Sequence, residues 1–198
     1  MPRGYLTRGR AGRSDHYTLA MSPGTTPEFR IGHGYDLHRL DRLAPEGKGR
    51  PLILGGVRIP WSGDCPEVGP VAHSDGDALF HAITDAVLGA LGLPDIGQLF
   101  PDTDPRHARQ DSKEFLAEAA RRAGEAGWAV VNLDATVILE RPRLGPHKDA
   151  IRSVLAGLLG VTPDRVNIKG KTHEGVDAVG QGLAVEAHAV VLLSRLRP

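Results

Sequence analysis

Cysteine is almost absent from the sequence, which contains only Cys65 among 198 residues. A single thiol excludes an intramolecular disulfide and a zinc cluster built from thiolates, and it is typical of a reducing compartment. The sequence also lacks any run of about 18 apolar residues, the length needed to cross a membrane as a helix. We therefore expect neither a disulfide framework nor a membrane span.

An excess of charge of either sign is also absent. Lys plus Arg and Asp plus Glu each number 24, so the formal net charge is zero. Without an overall basic field, nucleic acid is not an expected partner, and any bound anion must be held by a local group of side chains. The length and the 40% share of hydrophobic residues are sufficient for one domain with a core.

Large apolar and acidic residues are scarce in residues 1–28, which are rich in Arg, Gly, Ser, Thr and Pro. Such a segment cannot bury enough surface to offset the entropy lost on ordering. We therefore predict a disordered leader over residues 1–28 and a domain over residues 29–198. The arginines of the leader weakly resemble a transit peptide, but the leader is short and lacks a clear amphipathic pattern, which favours an ordinary extension or an upstream start. We therefore expect a bacterial cytoplasmic location, with the plastid stroma as the alternative.

The remaining sequence alternates between strand and helix patterns, which predicts an α/β sheet with helices largely on one face. A helix is favoured where apolar residues recur every three or four positions. Leu93–Pro105 is predicted to be an ordered loop, and Leu183–Leu193 fits either a strand or a helix. The predicted strands are Phe29–Leu37, Pro51–Ile59 (interrupted at Gly55 and Gly56), Ala129–Glu140 and Arg165–Lys171, and the helices are Asp75–Leu91, Asp111–Gly124 and Lys148–Leu159.

The segment "RIGHGYDLHRL" carries the first candidate metal ligands. Asp36 and His38 are two positions apart, so on a strand their side chains point to the same face. His81, within the first predicted helix, is a candidate third ligand. Two imidazoles and a carboxylate leave one position open on zinc, as in catalytic sites. The alternative is a strand surface whose polar residues face solvent.

Two further segments carry groups suited to phosphate. His73 and Ser74 precede the first predicted helix, where free backbone N–H groups attract anions, although Ser74 and Asp75 would equally serve as helix caps. The segment "NIKGKTHEG" carries Lys169, Lys171, Thr172, His173 and Glu174 at a strand end. Its cations and hydroxyl suit phosphate oxygens, and its carboxylate suits a hard divalent cation; the alternative is an ordinary charged strand end.

Four segments together resemble the 2-C-methyl-D-erythritol 2,4-cyclodiphosphate synthase family of the non-mevalonate isoprenoid pathway. They are "RIGHGYDLHRL", "LGGVRIP", "AHSDGDALFHAITDAVLGALGLPDIGQLFPDTDP" and "NIKGKTHEG", and the resemblance spans roughly Phe29–Arg195. It implies a single α/β domain with a mixed four-stranded sheet covered by helices on one face. It also implies a homotrimer with a three-fold axis and active sites between neighbouring subunits.

The activity implied by the resemblance is that of a phosphorus–oxygen lyase. The substrate would be 4-diphosphocytidyl-2-C-methyl-D-erythritol 2-phosphate, and the products 2-C-methyl-D-erythritol 2,4-cyclodiphosphate and CMP. By the same resemblance, Asp36, His38 and His81 would bind zinc, and Glu174 would bind a magnesium or manganese ion. A different metal-dependent nucleotide phosphoesterase and a catalytically silent zinc-binding trimer are the alternative functions.

The resemblance also assigns roles to other side chains. His73 and Thr172 would stabilise the transition state, and Ser74 would hold the 2-phosphate with His73. Asp102 and Asp104 could instead form turns beside proline, and Arg143 could be a solvated loop arginine. The expected substrate contacts are Asp36, His38, His73, Ser74, Asp95, Ile96, Gly97, Phe100, Asp102, Asp104, Pro142, Arg143, Lys171, Thr172, His173 and Glu174.

One position departs from the family pattern. Gln181 stands near the place where an arginine is customary, in a run that reads "GVDAVGQGLAVEA". In some members of the family that arginine helps to close a cavity on the trimer axis that can hold an isoprenyl diphosphate. We therefore expect that such a ligand is not bound in the same way by this chain.

Overall fold

A single α/β domain is organised around one mixed sheet in the computed structural model, which describes residues 28–61, 66–101, 103–104 and 110–196. The strands are β1 (Phe29–Arg42), β2 (Ile53–Leu54), β3 (Val57–Arg58), β4 (Val68–Pro70), β5 (Trp128–Ile138), β6 (Val166–Lys171) and β7 (Ala184–Arg195). The sheet has the strand order β4-β1-β7-β5-β6, and within it only β5 and β6 pair in parallel. A separate hairpin joins the two short strands β2 and β3.

The sheet contains one strand more than the four that were predicted. The additional strand, β4, has three residues and pairs antiparallel with the end of β1. The segment Leu183–Leu193, which fitted either type of element, is the strand β7. The run Pro51–Ile59, predicted to be interrupted at Gly55 and Gly56, is the β2–β3 hairpin, because both glycines adopt positive φ angles and turn the chain back.

The helices occupy most of the positions predicted from the periodicity. The helices are α1 (Ala78–Leu91), α2 (Ile96–Leu99), α3 (Ser112–Glu125), α4 (Lys148–Leu159) and α5 (Asp177–Gly180), with 3₁₀ turns at Gly145–His147 and Pro163–Arg165. Helix α1 begins at Ala78 rather than Asp75 because the side chain of Asp77 caps it, and Gly92 ends it in the left-handed conformation. The one-turn helix α2 lies inside the predicted Leu93–Pro105 loop.

Helices α1, α3 and α4 pack on one face of the sheet. On β7, alternate residues from Val185 to Leu193 are fully buried, and α1 packs across both β1 and β7. The other face of the sheet has no such cover from the described part of this chain. We call it the open face. Its apolar side chains on β1 are 44–72% exposed, and these are Phe29, Ile31, Tyr35 and Leu37.

Two predictions from the sequence concern a membrane span and a disordered leader. Among the described residues, no helix combines the length and the apolar character that a membrane crossing requires. The predicted leader lies outside the described residues except for Glu28.

Candidate active site

Strand β1 presents Asp36 and His38 on its helix-covered face. The same face carries Gly32 and Gly34, where an added Cβ would lie 1.8 Å and 1.9 Å from carbonyl oxygens of α1. Any side chain at these two positions would therefore force the helix away from the strand. Glycine allows the two backbones to meet directly beside the candidate ligands.

Helix α1 supplies His81 from its first turn, and a buried carboxylate anchors that turn. Oxygens of Asp77 accept hydrogen bonds from two backbone N–H groups at the start of the helix. They also accept from the backbone N–H groups of Gly55 and Gly56 at 2.9 Å and 2.7 Å. Asp77 thus caps the helix and ties it to the β2–β3 hairpin, which fixes the end of α1 that carries His81.

The side chains of Asp36, His38 and His81 converge as the sequence predicted. Oδ2 of Asp36 lies 3.1 Å from Nε2 of His38 and 3.0 Å from Nδ1 of His81, and the two nitrogens are 3.2 Å apart. The side chains are only 12–24% exposed. Two imidazole nitrogens and one carboxylate oxygen, all within 4.8 Å of one another, form a group that can hold a divalent metal.

The electrostatics of this group favour an ionised carboxylate. Burial by itself raises the pKa of Asp36, but hydrogen bonds and charge from His38 and His81 outweigh that effect and hold the pKa well below the usual range. For His81, burial by itself lowers the pKa, but the hydrogen bond with Asp36 and the charge of Asp36 outweigh that effect and raise the pKa. Asp36 is therefore available as an anionic ligand at neutral pH.

A cavity of about 220 Å³ opens beside the three ligands. It contains the predicted phosphate residues His73 and Ser74 together with residues of the "DIGQLF" segment. One wall is apolar and the other carries imidazole and hydroxyl groups, so the cavity suits a ligand with both a carbon skeleton and phosphate oxygens. Its lining residues are His38, Ala72, His73, Ser74, His81, Ile96, Gly97, Phe100 and Phe115.

The wall formed by α2 is fastened to α1 by Asp85. Oδ1 of Asp85 accepts a hydrogen bond from the backbone N–H of Ile96 at 2.8 Å. Asp95, a predicted substrate contact, is exposed, and its carboxylate accepts hydrogen bonds from both the backbone and the side chain of Gln98. In this structure Asp95 therefore caps α2 at the edge of the cavity.

The ring edge of His81 that faces away from Asp36 contacts Ser112, which in turn bonds to Asp75, and neither residue was predicted to support the site. Nε2 of His81 lies 2.8 Å from Oγ of Ser112, and that hydroxyl makes a short hydrogen bond to Oδ1 of Asp75. Nε2 also lies 3.2 Å from Oγ of Ser74. In the sequence, Asp75 and Ser112 looked like helix-end residues, and 37 positions separate them. No local pattern could have connected them.

A second group of predicted residues lies around the end of β6. Thr172 lines a cavity of about 680 Å³ with Pro142 and Arg143, and Lys171 with Thr172 lines an adjoining one of about 610 Å³. Pro142 is buried, whereas Arg143 is exposed. We call Lys171–Glu174 with the Leu139–Gly145 loop the strand-end half-site, and we call the ligand group with its cavity the metal half-site.

His173 and Glu174 occupy the turn after β6. Nδ1 of His173 lies 2.8 Å from Oδ2 of Asp177, so this histidine makes an ion pair within the turn when it is protonated. Glu174 adopts a φ angle of 52°, which few residues other than glycine favour, and it is exposed.

The two half-sites lie at the same end of the sheet but on different strands. Leu37 of β1 pairs with Glu186 of β7, which pairs with Ile138 of β5, which in turn pairs with Lys171 of β6. Three strand spacings therefore separate the two groups, a distance of about 14 Å. None of the three cavities described above is lined by both Thr172 and a member of the Asp36 group.

Comparison with known proteins identifies the family. The YgbB family model matches residues 29–194. The chain belongs to the YgbB family. Membership confirms the resemblance inferred from the sequence.

Curated relatives of this YgbB chain come from plants and bacteria. The chain is 51% identical over 187 residues to the chloroplastic 2-C-methyl-D-erythritol 2,4-cyclodiphosphate synthase of Catharanthus roseus, covering 94% of this chain and 75% of the relative. It is 50% identical over 168 residues to the synthase of Dechloromonas aromatica, covering 85% of this chain and 98% of the relative. The plant relative is named chloroplastic and the bacterial one is not.

Solved structures agree with this family membership. A structure of 2C-methyl-D-erythritol-2,4-cyclodiphosphate synthase in a form bound to CDP has a TM-score of 0.72 and 47% identity, covering 83% of this chain and 99% of that one. The bifunctional IspDF from Campylobacter jejuni has a TM-score of 0.77 and 36% identity over 86% of this chain, which covers 43% of that protein. The mixed α/β fold is therefore that of the YgbB synthases.

Three further residues singled out in the sequence are Asp102, Asp104 and Gln181. Asp104 donates its backbone N–H to Pro101 at 3.1 Å and so takes part in a turn. Asp102 lies outside the described residues. Gln181 ends the short helix α5 and is exposed. The substrate contacts predicted for Asp102 and Asp104 stay predictions, as does the expectation that Gln181 alters the binding of an isoprenyl diphosphate.

Proposed function

We propose that this chain converts 4-diphosphocytidyl-2-C-methyl-D-erythritol 2-phosphate to 2-C-methyl-D-erythritol 2,4-cyclodiphosphate and CMP. The observation that carries the proposal is the convergence of Asp36, His38 and His81 beside a cavity that also contains His73 and Ser74. A metal group next to phosphate-binding side chains is what a cyclising phosphoryl transfer requires, because two anions must approach each other. The activity named for the relatives at about 50% identity supports the same reaction.

The donor atoms fit the metals proposed. Asp36, His38 and His81 offer one oxygen and two nitrogens, the set expected for a catalytic zinc ion with an open position. Glu174 offers an exposed carboxylate, a suitable ligand for magnesium or manganese. When bound, these cations would neutralise and polarise the phosphate oxygens of the substrate.

The side chains of the chain would position the reacting groups. Ser74 and His73 would hold the 2-phosphate, and Lys171 with Thr172 would bind the diphosphate from the other half-site. An oxygen of the 2-phosphate forms a bond to the β-phosphorus, while the bond from the β-phosphorus to the bridging oxygen breaks and CMP leaves with that oxygen. Because no protein nucleophile is required, in-line positioning and charge stabilisation supply the catalysis.

The proposed active form is a homotrimer whose sites lie between neighbouring subunits. The metal half-site and the strand-end half-site of one chain are about 14 Å apart, so a neighbouring chain must bring its own strand-end half-site to the ligands. The open face of the sheet supports association, because its exposed apolar side chains would be buried between copies.

The location of the protein in the cell, the bacterial cytoplasm or alternatively the plastid stroma, stays a prediction.

Phosphorus NMR of the reaction mixture tests the function. The purified protein with zinc, magnesium and the proposed substrate should release CMP together with the cyclic diphosphate, and a sample treated with chelator should release neither. CMP accompanied by a linear phosphate product would instead indicate a phosphoesterase. Loss of turnover in His73→Ala and Glu174→Gln, with the fold retained, would exclude a catalytically silent trimer.

A further inference from the structure

The hydrogen bonds behind His81 form a chain that ends on a carboxylate. Nε2 of His81 meets the hydroxyl of Ser112, and that hydroxyl meets Oδ1 of Asp75. The other carboxylate oxygen of Asp75 accepts the backbone N–H of Ser112 at 3.0 Å. Ser112 is fully buried, so solvent water does not compete for these contacts.

The carboxylate of Asp75, at the end of this series of hydrogen bonds, sets the direction of each bond. An ionised carboxylate only accepts hydrogen bonds, so the single hydroxyl hydrogen of Ser112 is donated to Asp75. The oxygen of Ser112 can then only accept from His81. When Nδ1 is free to bind a metal, the hydrogen of the neutral imidazole sits on Nε2 and is donated to this oxygen.

Nδ1 is the ring nitrogen that faces the metal group. It lies 3.0 Å from Oδ2 of Asp36 and 3.2 Å from Nε2 of His38. We propose that Ser112 and Asp75 are positioning residues that fix the orientation and the tautomer of His81, so that Nδ1 presents its lone pair to the metal. Hydrogen bonds of this kind behind a metal ligand are typical of high-affinity metal sites.

Ser74 does not perform the same function as Ser112. Its oxygen is farther from Nε2 of His81 and also accepts the backbone N–H of Gly76 at 3.2 Å. Its hydroxyl has no carboxylate acceptor among the contacts described, so its hydrogen is not directed as that of Ser112 is. Ser74 therefore remains available to a ligand in the cavity, while Ser112 lies behind the ring.

This inference rests on the metal site of the proposed function, and the first test needs no variant. Nitrogen NMR of the zinc-loaded wild-type protein reports which nitrogen of His81 binds the metal and which carries hydrogen. We expect a protonated Nε2 and an unprotonated Nδ1. An unprotonated Nε2 would overturn the proposal.

Zinc affinity measured by chelator competition is the second test. Ser112→Ala should bind zinc about 10–100-fold more weakly and show faster exchange of the His81 Nε2 hydrogen with water, because the acceptor of that hydrogen is gone. Ser112→Thr keeps the hydroxyl and should restore both properties. Ser153→Ala is the matched control, because Ser153 is exposed on α4 and its hydroxyl bonds only to the backbone of Asp149 in the described contacts.

The outcomes separate this inference from the proposed function. A folded Ser112→Ala protein with wild-type zinc affinity and wild-type exchange of the His81 Nε2 hydrogen would overturn the role of Ser112. Absence of synthase activity in the wild type, with the tautomer and the zinc affinities as expected, would overturn the proposed function alone.

Discussion

Gly34 of β1 lies directly beneath Ala82 of α1, so that a Cβ at Gly34 would sit 1.9 Å from the carbonyl oxygen of Ala82. Gly34 is two residues from Asp36, and Ala82 is adjacent to His81. The separation of the metal ligands is therefore set by contact between two backbones.

Gly34→Ala should lower the free energy of unfolding by about 3 kcal/mol or more, because the helix must move away from the strand. Zinc affinity should fall with it, since His81 moves with the helix. Urea unfolding and chelator competition measure the two effects. Gly157→Ala on α4 is the control: no atom lies within 4 Å of its added Cβ, so it should raise stability by about 1 kcal/mol. A Gly34→Ala protein of wild-type stability would contradict the close packing.

Asp77→Ala should be among the most destabilising substitutions of a polar residue. It removes the acceptor of four backbone N–H groups in a fully buried position, at a cost of about 3 kcal/mol. Asp111→Ala, at the exposed cap of α3, removes the acceptor of Lys113 and should cost about 1 kcal/mol. Urea unfolding compares the two. Equal losses would show that the link to the β2–β3 hairpin contributes nothing.

Asp36→Asn and His81→Ala should abolish tight zinc binding, because each removes one of three ligands in the described metal group. Elemental analysis after dialysis should find about a tenth of the wild-type zinc content or less. Asp149→Asn is the control, since that carboxylate is exposed on α4 and pairs with Arg152. Full zinc content in both ligand variants would place the metal elsewhere.

Shared sites between subunits can be tested by mixing two inactive proteins. His81→Ala damages the metal half-site, and Thr172→Ala damages the strand-end half-site. After the two are unfolded together and refolded in equal amounts, about a quarter of the sites should combine two intact halves. Assay of the mixture should therefore give about a quarter of wild-type activity. Sites contained within one chain would leave the mixture inactive.

The metal ligands were predictable from the sequence, whereas their support was not. Asp36 and His38 share a strand face by periodicity alone. His81, 43 residues after His38, was a candidate from the first predicted helix, and the family resemblance assigned it to zinc. Asp75 and Ser112 looked like helix ends, because their connection depends on how α3 packs beside α1. Tertiary contacts of this kind leave no periodic pattern in a sequence.

The helices and strands likewise divide into those that a local pattern predicted and those that depend on tertiary contacts. Long helices such as α4 were predicted almost to the residue, because their apolar period is strong. The short strand β4 was missed, since three residues carry no period and its pairing with β1 depends on the chain between them. The β2–β3 hairpin was predicted as one run interrupted at Gly55 and Gly56, and these two glycines form its turn.

The distance between the two half-sites has a genetic consequence. If every site takes one half from each of two neighbours, a chain that still assembles but is damaged in both halves disables sites on both of its sides. In a cell making intact and damaged chains equally, about a quarter of the sites would survive instead of half. A loss-of-function allele would then be partly dominant, unless the damage also prevents the chain from assembling.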